Sequence, residues 1–434
     1  MQEQERERIL NHLSREYTEP IRDPIWKNIL FSRPLLRLID LPQFQKLNGI
    51  KQLGPTYLVY PGATHTRLNH SLGVFHLARR MITVLVGKRG LAGCTLAGVK
   101  AFLCAALLHD LGHYPYAHSL KDLSVESHES LTAARLLEED FAAVIREEVG
   151  TDPSLVAAII DSSRASGNGG EVRFFRRLLS GVLDPDKLDY LNRDAAFCGI
   201  PYGVQDVDFI LDEIGPDSDY GLGISRKGLV AVESILFSKY LMYRSVYWHK
   251  TVRIATAMIK KAVLLALAAG VLRPSSFYWL DDREFLDFAG RLDFPPFQLV
   301  RQVSERRLYK ALFAVPFRPD NPLHLRLEDL PQRLRYEEAL ALEVSRRLGR
   351  PLASSALLID IPERVSFEVD LPVSENAEAQ SVPFASSRSV FTPQTVDGFS
   401  SSLRTAALIA CRDGELIEAL ERIGPRRILE EGVA

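Results

Sequence analysis

Seven of the ten histidines in this 434-residue chain, His65, His70, His76, His109, His113, His118 and His128, fall within residues 65–128, where even scatter would put only one or two. Imidazole nitrogens grouped with carboxylate oxygens suit a divalent transition ion such as Mn, Fe, Ni or Zn. The His109-Asp110 pair closes a strongly apolar segment, with Gly112 as a helix stop. His70 opens the preceding apolar-periodic segment. Three such ligands leave an octahedral ion unsaturated, and a distant Asp commonly completes the set. Asp186 and Asp189, in Asp184-Pro185-Asp186-Lys187-Leu188-Asp189-Tyr190, are the two candidates. On a helix begun by Pro185, Asp186, Asp189, Tyr190 and Arg193 share one face. That face is unusually polar for a segment between apolar helices and suits a pocket that takes both a cation and a phosphate. Burying so many imidazoles and carboxylates without a metal or substrate would be costly.

Helices must position these groups. Apolar residues recur at helical spacing over Leu35–Lys46, His70–Val86, Leu96–Leu111, His128–Val149, Pro153–Ser162, Val172–Leu183, Pro185–Cys198 and Leu229–Leu272. Residues 20–62 otherwise read as short extended pieces broken by Pro20, Pro24 and Pro34. Beyond about residue 275 the character changes. Ser304–Phe313, Leu330–Leu348 and Leu403–Ile423 read as helices, Ala356–Ile361 and Val365–Leu371 as strands, and residues 373–400 as a long, mobile surface loop. The expected fold is mainly α: an N-terminal segment (1–62) packed on a helical core (63–275), with a smaller C-terminal α/β appendage (276–434).

Composition narrows the function classes. Hydrophobic residues make up 46% and charged residues 25%, and 53 Lys and Arg against 55 Asp and Glu leave a net charge of −2. Near balance argues against an extended nucleic-acid surface, while leaving room for a local basic pocket. Cys94, Cys104, Cys198 and Cys411 form no CxxC pair, which speaks against a cysteine zinc site and fits a reducing cytoplasm. The Glu- and Arg-rich stretch Met1–Arg15 has no apolar core and does not read as a signal peptide. The longest apolar run, Ala262–Leu272, is about half the length needed to span a bilayer and reads as a buried helix.

Several runs together resemble the HD-domain deoxynucleoside triphosphate (dNTP) triphosphohydrolases. They are Ile39-Asp40-Leu41-Pro42-Gln43-Phe44-Gln45-Lys46-Leu47, Ile50-Lys51-Gln52-Leu53-Gly54, His65-Thr66-Arg67-Leu68-Asn69-His70, Leu108-His109-Asp110-Leu111-Gly112-His113, His118, His128-Glu129, Asp186-Lys187-Leu188-Asp189-Tyr190 and Arg193-Asp194. The resemblance is strong over residues 20–205 and thin beyond 265. It implies an HD-type helical core with His70, His109, Asp110 and Asp186 as metal ligands. Asp186 is preferred to Asp189 because it precedes the Lys of the family's run. It also implies cleavage of dNTPs to deoxynucleoside and inorganic triphosphate by water attack on the α-phosphorus, with Mg accompanying the substrate phosphates. His118 is then the first choice for general acid, with His113 and His128 in support. Arg67, Lys187, Tyr190 and Arg193 would bind the phosphate chain, Gln52, Leu53 and Asp194 the sugar, and Tyr247 the base. Self-association as a dimer or tetramer is implied as well.

Three departures shape these expectations. Lys121 stands where relatives often place an acid that orients the histidine, so Asp122 becomes the substitute orienter of His118. Lys239 and Tyr243 fall where the vertebrate member has an arginine and a histidine. Asp40 and Gln45 match residues that read an activating guanine, but Glu19 and Asn48 stand where positive charge is expected. A carboxylate there repels phosphates by about a kilocalorie at contact in high dielectric, so activation by a guanine triphosphate is expected to be weak, altered or absent. Two other readings use the same residues: an HD phosphohydrolase acting on a nucleoside monophosphate or short oligonucleotide, and a low-turnover nucleotide-sensing protein.

Overall fold

The long helices around the histidines begin on caps that the sequence itself supplies. The computed structural model describes the chain except residues 1, 89–92, 124, 166–168, 218–221, 368, 370, 375–380 and 434. Thr66 and Asn69 form a capping box that opens the helix Arg67–Gly87, and the Thr95 side chain caps Leu96–Leu108. Asp184 caps Pro185–Cys198, which Gly199 ends in the left-handed conformation. Arg67–Gly87 packs against both of the other two helices. The close approach to Pro185–Cys198 depends on Gly73, where an added Cβ would lie 1.8 Å from Asp189 Oδ1. Leu96–Leu108 is buried along almost its whole length, so it forms the centre of the helical core rather than a surface helix.

The N-terminal residues finish this core. Glu19–Asp23 and Lys27–Phe31 pair as an antiparallel hairpin, and Phe31 stacks on Phe75 at 4.5 Å. Ile9 and Leu13 of the first helix, Gln2–Arg15, enter the same apolar group. The C-terminal part is α/β. Its three-stranded antiparallel sheet has Thr405–Ala410 between Lys310–Pro316 and Leu357–Asp360. Helices Leu330–Leu348 and Gly414–Ile423 pack with it over a separate apolar group. A further apolar group joins Tyr114, Leu120 and Leu131 to Met258, Phe285, Leu358 and Ile409, so the sheet is seated against the histidine-bearing segments. Among the described residues no helix is long and apolar enough to cross a membrane.

Mainly α with a C-terminal α/β part is therefore the observed architecture, but several expected elements are corrected. Leu35–Lys46 is not one helix; it divides into Arg33–Ile39 and the short turns Pro42–Gln45 and Lys46–Gly49, because Pro42 cannot continue the first. His128–Val149 breaks at Glu138, whose extended backbone separates His128–Arg135 from Glu139–Ala143. Leu229–Leu272 breaks between Leu229–Met242 and Lys250–Ala268, and the π-helical turn Tyr243–Tyr247 lies at the break. The Ser304–Phe313 helix is absent: Gln298–Ser304 ends before Arg306, whose φ is 58°, and Lys310–Pro316 is a strand. Leu403–Ile423 splits into the strand Thr405–Ala410 and the helix Gly414–Ile423. Its Ala- and Leu-rich first half reads as helix by propensity, but pairing on both edges wins.

The described residues of the expected strand Val365–Leu371 form no strand (368 and 370 lie outside the described residues), and Pro372–Ser374 instead pairs in parallel with Gly223–Ser225 of the helical core. The expected loop 373–400 is also corrected. It holds Val382–Pro383 and most of the helix Pro393–Leu403, while part of it (375–380) lies outside the described residues. The helix Val207–Glu213 carried no strong periodic signal and went unread.

Candidate metal and substrate site

Two imidazoles are anchored through Nδ1 and turn Nε2 toward carboxylates. His70 Nδ1 lies 2.8 Å from Asp189 Oδ2, and His109 Nδ1 lies 3.0 Å from the carbonyl of Ala106. Each acceptor takes the Nδ1 proton, which leaves the lone pair on Nε2. Those Nε2 atoms face carboxylates. His70 Nε2 is 3.0 Å from Asp186 Oδ1 and 3.9 Å from Asp110 Oδ2, and His109 Nε2 is 3.3 Å from Asp110 Oδ1. Lone pairs opposed to carboxylate oxygens are repulsive unless a cation or proton sits between them. Consistent with that, burial alone would lower the His70 pKa, yet hydrogen bonding to Asp186 and Asp189 pushes it up to about 10. His109 Nε2 is buried with no hydrogen-bond partner. His70, His109 and Asp110 make a group that could hold a metal ion, and Asp186 stands beside it. Donor chemistry and orphaned atoms thus fit a divalent cation.

Behind this group lies a buried charge chain that fixes it. Asp189 takes hydrogen bonds from Trp26 Nε1 at 2.5 Å and from Arg193 Nε and Nη2 at 2.8 and 2.9 Å, besides its contact with His70. Arg193 Nη1 reaches Asp23 at 2.8 Å. Asp189, left open as an alternative ligand by spacing alone, backs His70 instead. Arg193 is corrected in the same way. Its guanidinium is fully buried between two carboxylates and is not available to a phosphate. Lys187 also departs from expectation: its ammonium binds the Gly181 carbonyl at 2.9 Å and Asp184 at 2.5 Å, and it is not among the residues that line the cavity.

The metal-fitting group opens into a cavity of about 390 Å³. Gln52, Leu53, Arg67, His113, His118, His128, Tyr190, Asp194 and Tyr247 all line it, as do His70, His109, Asp110 and Asp186. Arg67 Nη1 donates to Asp110 Oδ2 at 2.6 Å. The His113 ring lies 3.8 Å from that of His128 and 5.1 Å from that of His118. Tyr116, at φ 60°, turns the chain so that His113 and His118 meet. Burial makes the imidazoles of His113, His118 and His128 less basic. The surrounding protein, then Arg67 and His128, lowers His118 to about 3, although its edge is open to the cavity. His113 is driven well below its ordinary range by burial first and Arg67 second. Gln52 presents a buried side-chain oxygen with no protein partner, the right character for accepting a ligand hydroxyl. Asp194 accepts from Tyr247 at 2.7 Å and sits 2.8 Å from His65 Nε2, which gives His65 a supporting place. His76 stacks on Trp26 at 5.9 Å.

Asp122 does not orient His118; it pairs with Lys260 at 2.8 Å, a correction to the sequence expectation. Lys239 donates to the Ser366 carbonyl at 2.6 Å and does not line the cavity, whereas Tyr243 does. Tyr243, Tyr247 and Trp248 make edge contacts at 5.1 Å and build an aromatic wall from the π-helical turn. Glu19 pairs with Arg33 at 3.2 Å, Gln45 caps the Ile39 carbonyl at 2.8 Å, and Asp40 and Asn48 are exposed outside the cavity. Sequence reading missed Trp248, Lys51, Arg253, Lys260 and Glu363 as wall residues. The break after the 243–247 turn, marked by Tyr, Trp and His in succession, was the available signal for the first of these.

Residues 67–184 match the HD domain family and residues 206–388 match the HD associated region. An uncharacterized protein of Methanocaldococcus jannaschii is 34% identical over 306 residues, covering 70% of this chain and 61% of that one. The deoxynucleoside triphosphate triphosphohydrolase SAMHD1 of Gallus gallus is 32% identical over 206 residues, 41% of this chain and 34% of that protein. Both curated relatives are thus spanned only in part. The crystal structure of a phosphohydrolase from Bacteroides thetaiotaomicron is similar with a TM-score of 0.69 at 25% identity, covering 91% of this chain and 99% of that chain.

Proposed function

We propose, from the premise that the chain belongs to the HD-domain phosphohydrolase family, that it is a metal-dependent phosphohydrolase that cleaves dNTPs to deoxynucleoside and inorganic triphosphate. The observation that carries this reading is that the orphaned His109 Nε2, the open edge of His118 and the unpartnered Gln52 oxygen share one cavity with an aromatic wall. A volume of about 390 Å³ is within the usual range for a small-molecule site. A relative bearing the name of a dNTP triphosphohydrolase supports the choice of substrate.

His70, His109, Asp110 and Asp186 would hold the ion, one of Mn, Fe, Ni or Zn. When bound, it would supply an acidified water, its pKa drawn from about 15.7 towards 7, and would shield the phosphoryl oxygens. The chain's own groups do the rest. Arg67 holds Asp110 in place through the 2.6 Å bond. His118 donates a proton to the leaving 5′-oxygen, a contribution of about 10²–10⁴-fold. The surrounding protein, then Arg67 and His128, lower its pKa in the free cavity, and an anionic phosphate chain raises it. His113 and His128 flank it and fix its approach. Gln52 accepts from the sugar 3′-hydroxyl while Leu53 packs the ring. Asp194, beside the sugar, holds Tyr247 at the base end, and Tyr190, whose ring lies 6.5 Å from that of Tyr247, meets the phosphate chain. Mg accompanies the substrate phosphates.

The free thiols Cys94, Cys104, Cys198 and Cys411 fit a reducing compartment such as the cytoplasm, and a second copy of the chain is the expected partner. A four-dNTP hydrolysis panel on metal-analysed protein, with the His109→Ala/Asp110→Ala double variant as control, tests the function. Undiminished turnover in that variant would defeat the assignment of the site.

A further inference from the structure

With Lys187 and Arg193 engaged elsewhere, Arg67 is the one expected phosphate-chain cation that lines the cavity, and a triphosphate needs more positive charge than that. Arg253, Thr256 and Lys260 follow one another at helical spacing on Lys250–Ala268, and all three line the cavity. Arg253 is gripped from the C-terminal part of the chain. Its Nε and Nη2 donate to Asp360 Oδ2 and Oδ1 at 2.9 and 2.6 Å. Asp360 ends the fully buried strand Leu357–Asp360, so this fork is anchored in the sheet. A guanidinium has five donors in a planar fork, and Asp360 takes only one edge. The other edge meets Glu363, itself a wall residue, at 3.4 Å. Lys260 gives one of its three donors to Asp122 at 2.8 Å. Both cations are held in place with donors to spare, and one of them faces a loosely engaged carboxylate.

We propose that Arg253 and Lys260 form the subsite for the outer phosphates of the substrate, and that Glu363, brought in by the C-terminal part, competes with those phosphates for Arg253. The inference rests on the reading of the cavity as a nucleoside triphosphate site, and it adds a role for the C-terminal α/β part. Asp360 is the positioning residue: it holds one edge of the guanidinium so that the other is presented without reorganisation. A phosphate oxygen carries more charge than the Glu363 carboxylate oxygen it displaces and can take both donors of the open edge.

The test is calorimetric titration of inorganic triphosphate, and separately of deoxyadenosine, into the full-length, metal-loaded protein. Arg253→Ala should weaken triphosphate binding about tenfold or more, the loss of a charged hydrogen bond. Glu363→Gln should tighten it by about two- to fivefold, the size of a weak ion-pair competition. Deoxyadenosine affinity should stay within about twofold in both variants, as a subsite for the outer phosphates requires. Triphosphate binding that ignores Arg253→Ala, weakens with Glu363→Gln, or falls together with deoxyadenosine binding would overturn the proposal. Glu363→Gln keeps the Asp360 pair intact, so it remains decisive if Arg253→Ala does not fold. Wild-type protein that binds triphosphate through Arg253 yet releases other products from dNTPs would instead defeat the proposed reaction and leave this subsite standing.

Discussion

Changing Asp189 to Asn keeps the shape of the side chain and removes one charge from the chain Asp23–Arg193–Asp189–His70. Asp189 accepts four hydrogen bonds at 2.5 to 2.9 Å, from Trp26, His70 and twice from Arg193. Although burial opposes ionisation, the Arg193 guanidinium and the His70 hydrogen bond hold its carboxyl well below the usual carboxylate range. An amide has one oxygen to accept with, and its NH₂ must face either Trp26 Nε1 and Arg193 Nη2 or His70 Nδ1 and Arg193 Nε. Breaking one partner out of a buried ion pair costs about 3–5 kcal/mol. For a chain of this size that lowers the melting temperature by roughly 1 °C per kcal/mol, or about 3–5 °C. If the amide donates to His70 Nδ1, the ring is forced into the other tautomer and its Nε2 proton points at the metal position. Loss of such a supporting bond typically weakens metal binding about 10–100-fold. Differential scanning calorimetry and metal titration of Asp189→Asn read the two effects separately. A variant that melts like the wild type and binds the ion equally well would refute the account of the charge chain.

Other substitutions follow from the same geometry. Gly73→Ala drives a methyl to 1.8 Å from Asp189 Oδ1 and 2.5 Å from Arg193 Nη2; urea unfolding should show a loss of at least about 1–3 kcal/mol. Asp122→Asn loosens only the Lys260 pair, so dATP turnover should stay within about tenfold of wild type, against about 10²–10⁴-fold loss for His118→Ala. Equal losses in the two variants would restore Asp122 as the orienter of His118. Adding GTP or dGTP should leave dATP turnover nearly unchanged, because the family resemblance puts Glu19, bonded to Arg33 at 3.2 Å, where positive charge for the activator's phosphates is expected. A several-fold rise that disappears in Asp40→Ala would show that the guanine site works.

How far the molecule was legible from its sequence depends on the range of the forces involved. Pro185–Cys198 and Leu330–Leu348 coincide with the helices that spacing and caps predict, since Asp184-Pro185 and Asp329 set their starts locally. Lys310–Pro316 and Thr405–Ala410 were misread because their Ala- and Leu-rich sequences become strands only through partners about a hundred residues away. The gathering of His70, His109 and Asp110 with Asp186 or Asp189 could be read because polar groups in apolar helices need a common reason, and the family resemblance chose Asp186 between the two acids. The roles of Lys187 and Arg193 could not be read in the same way. A helical face tells which residues look in one direction, and it does not tell that Asp23, far off in the chain, will be waiting there. Arg253 and Glu363 are the same case at greater distance: ordinary surface charges in the sequence, and cavity walls once the C-terminal sheet is seated.

The central claim is hydrolysis by water attack on the α-phosphorus with departure of the sugar 5′-oxygen. Turnover of dATP by the metal-loaded protein in water enriched in oxygen-18, followed by mass spectrometry of the products, tests it most directly. The account predicts one heavy oxygen in inorganic triphosphate and none in deoxyadenosine. Label in orthophosphate, pyrophosphate or a deoxynucleotide would contradict it.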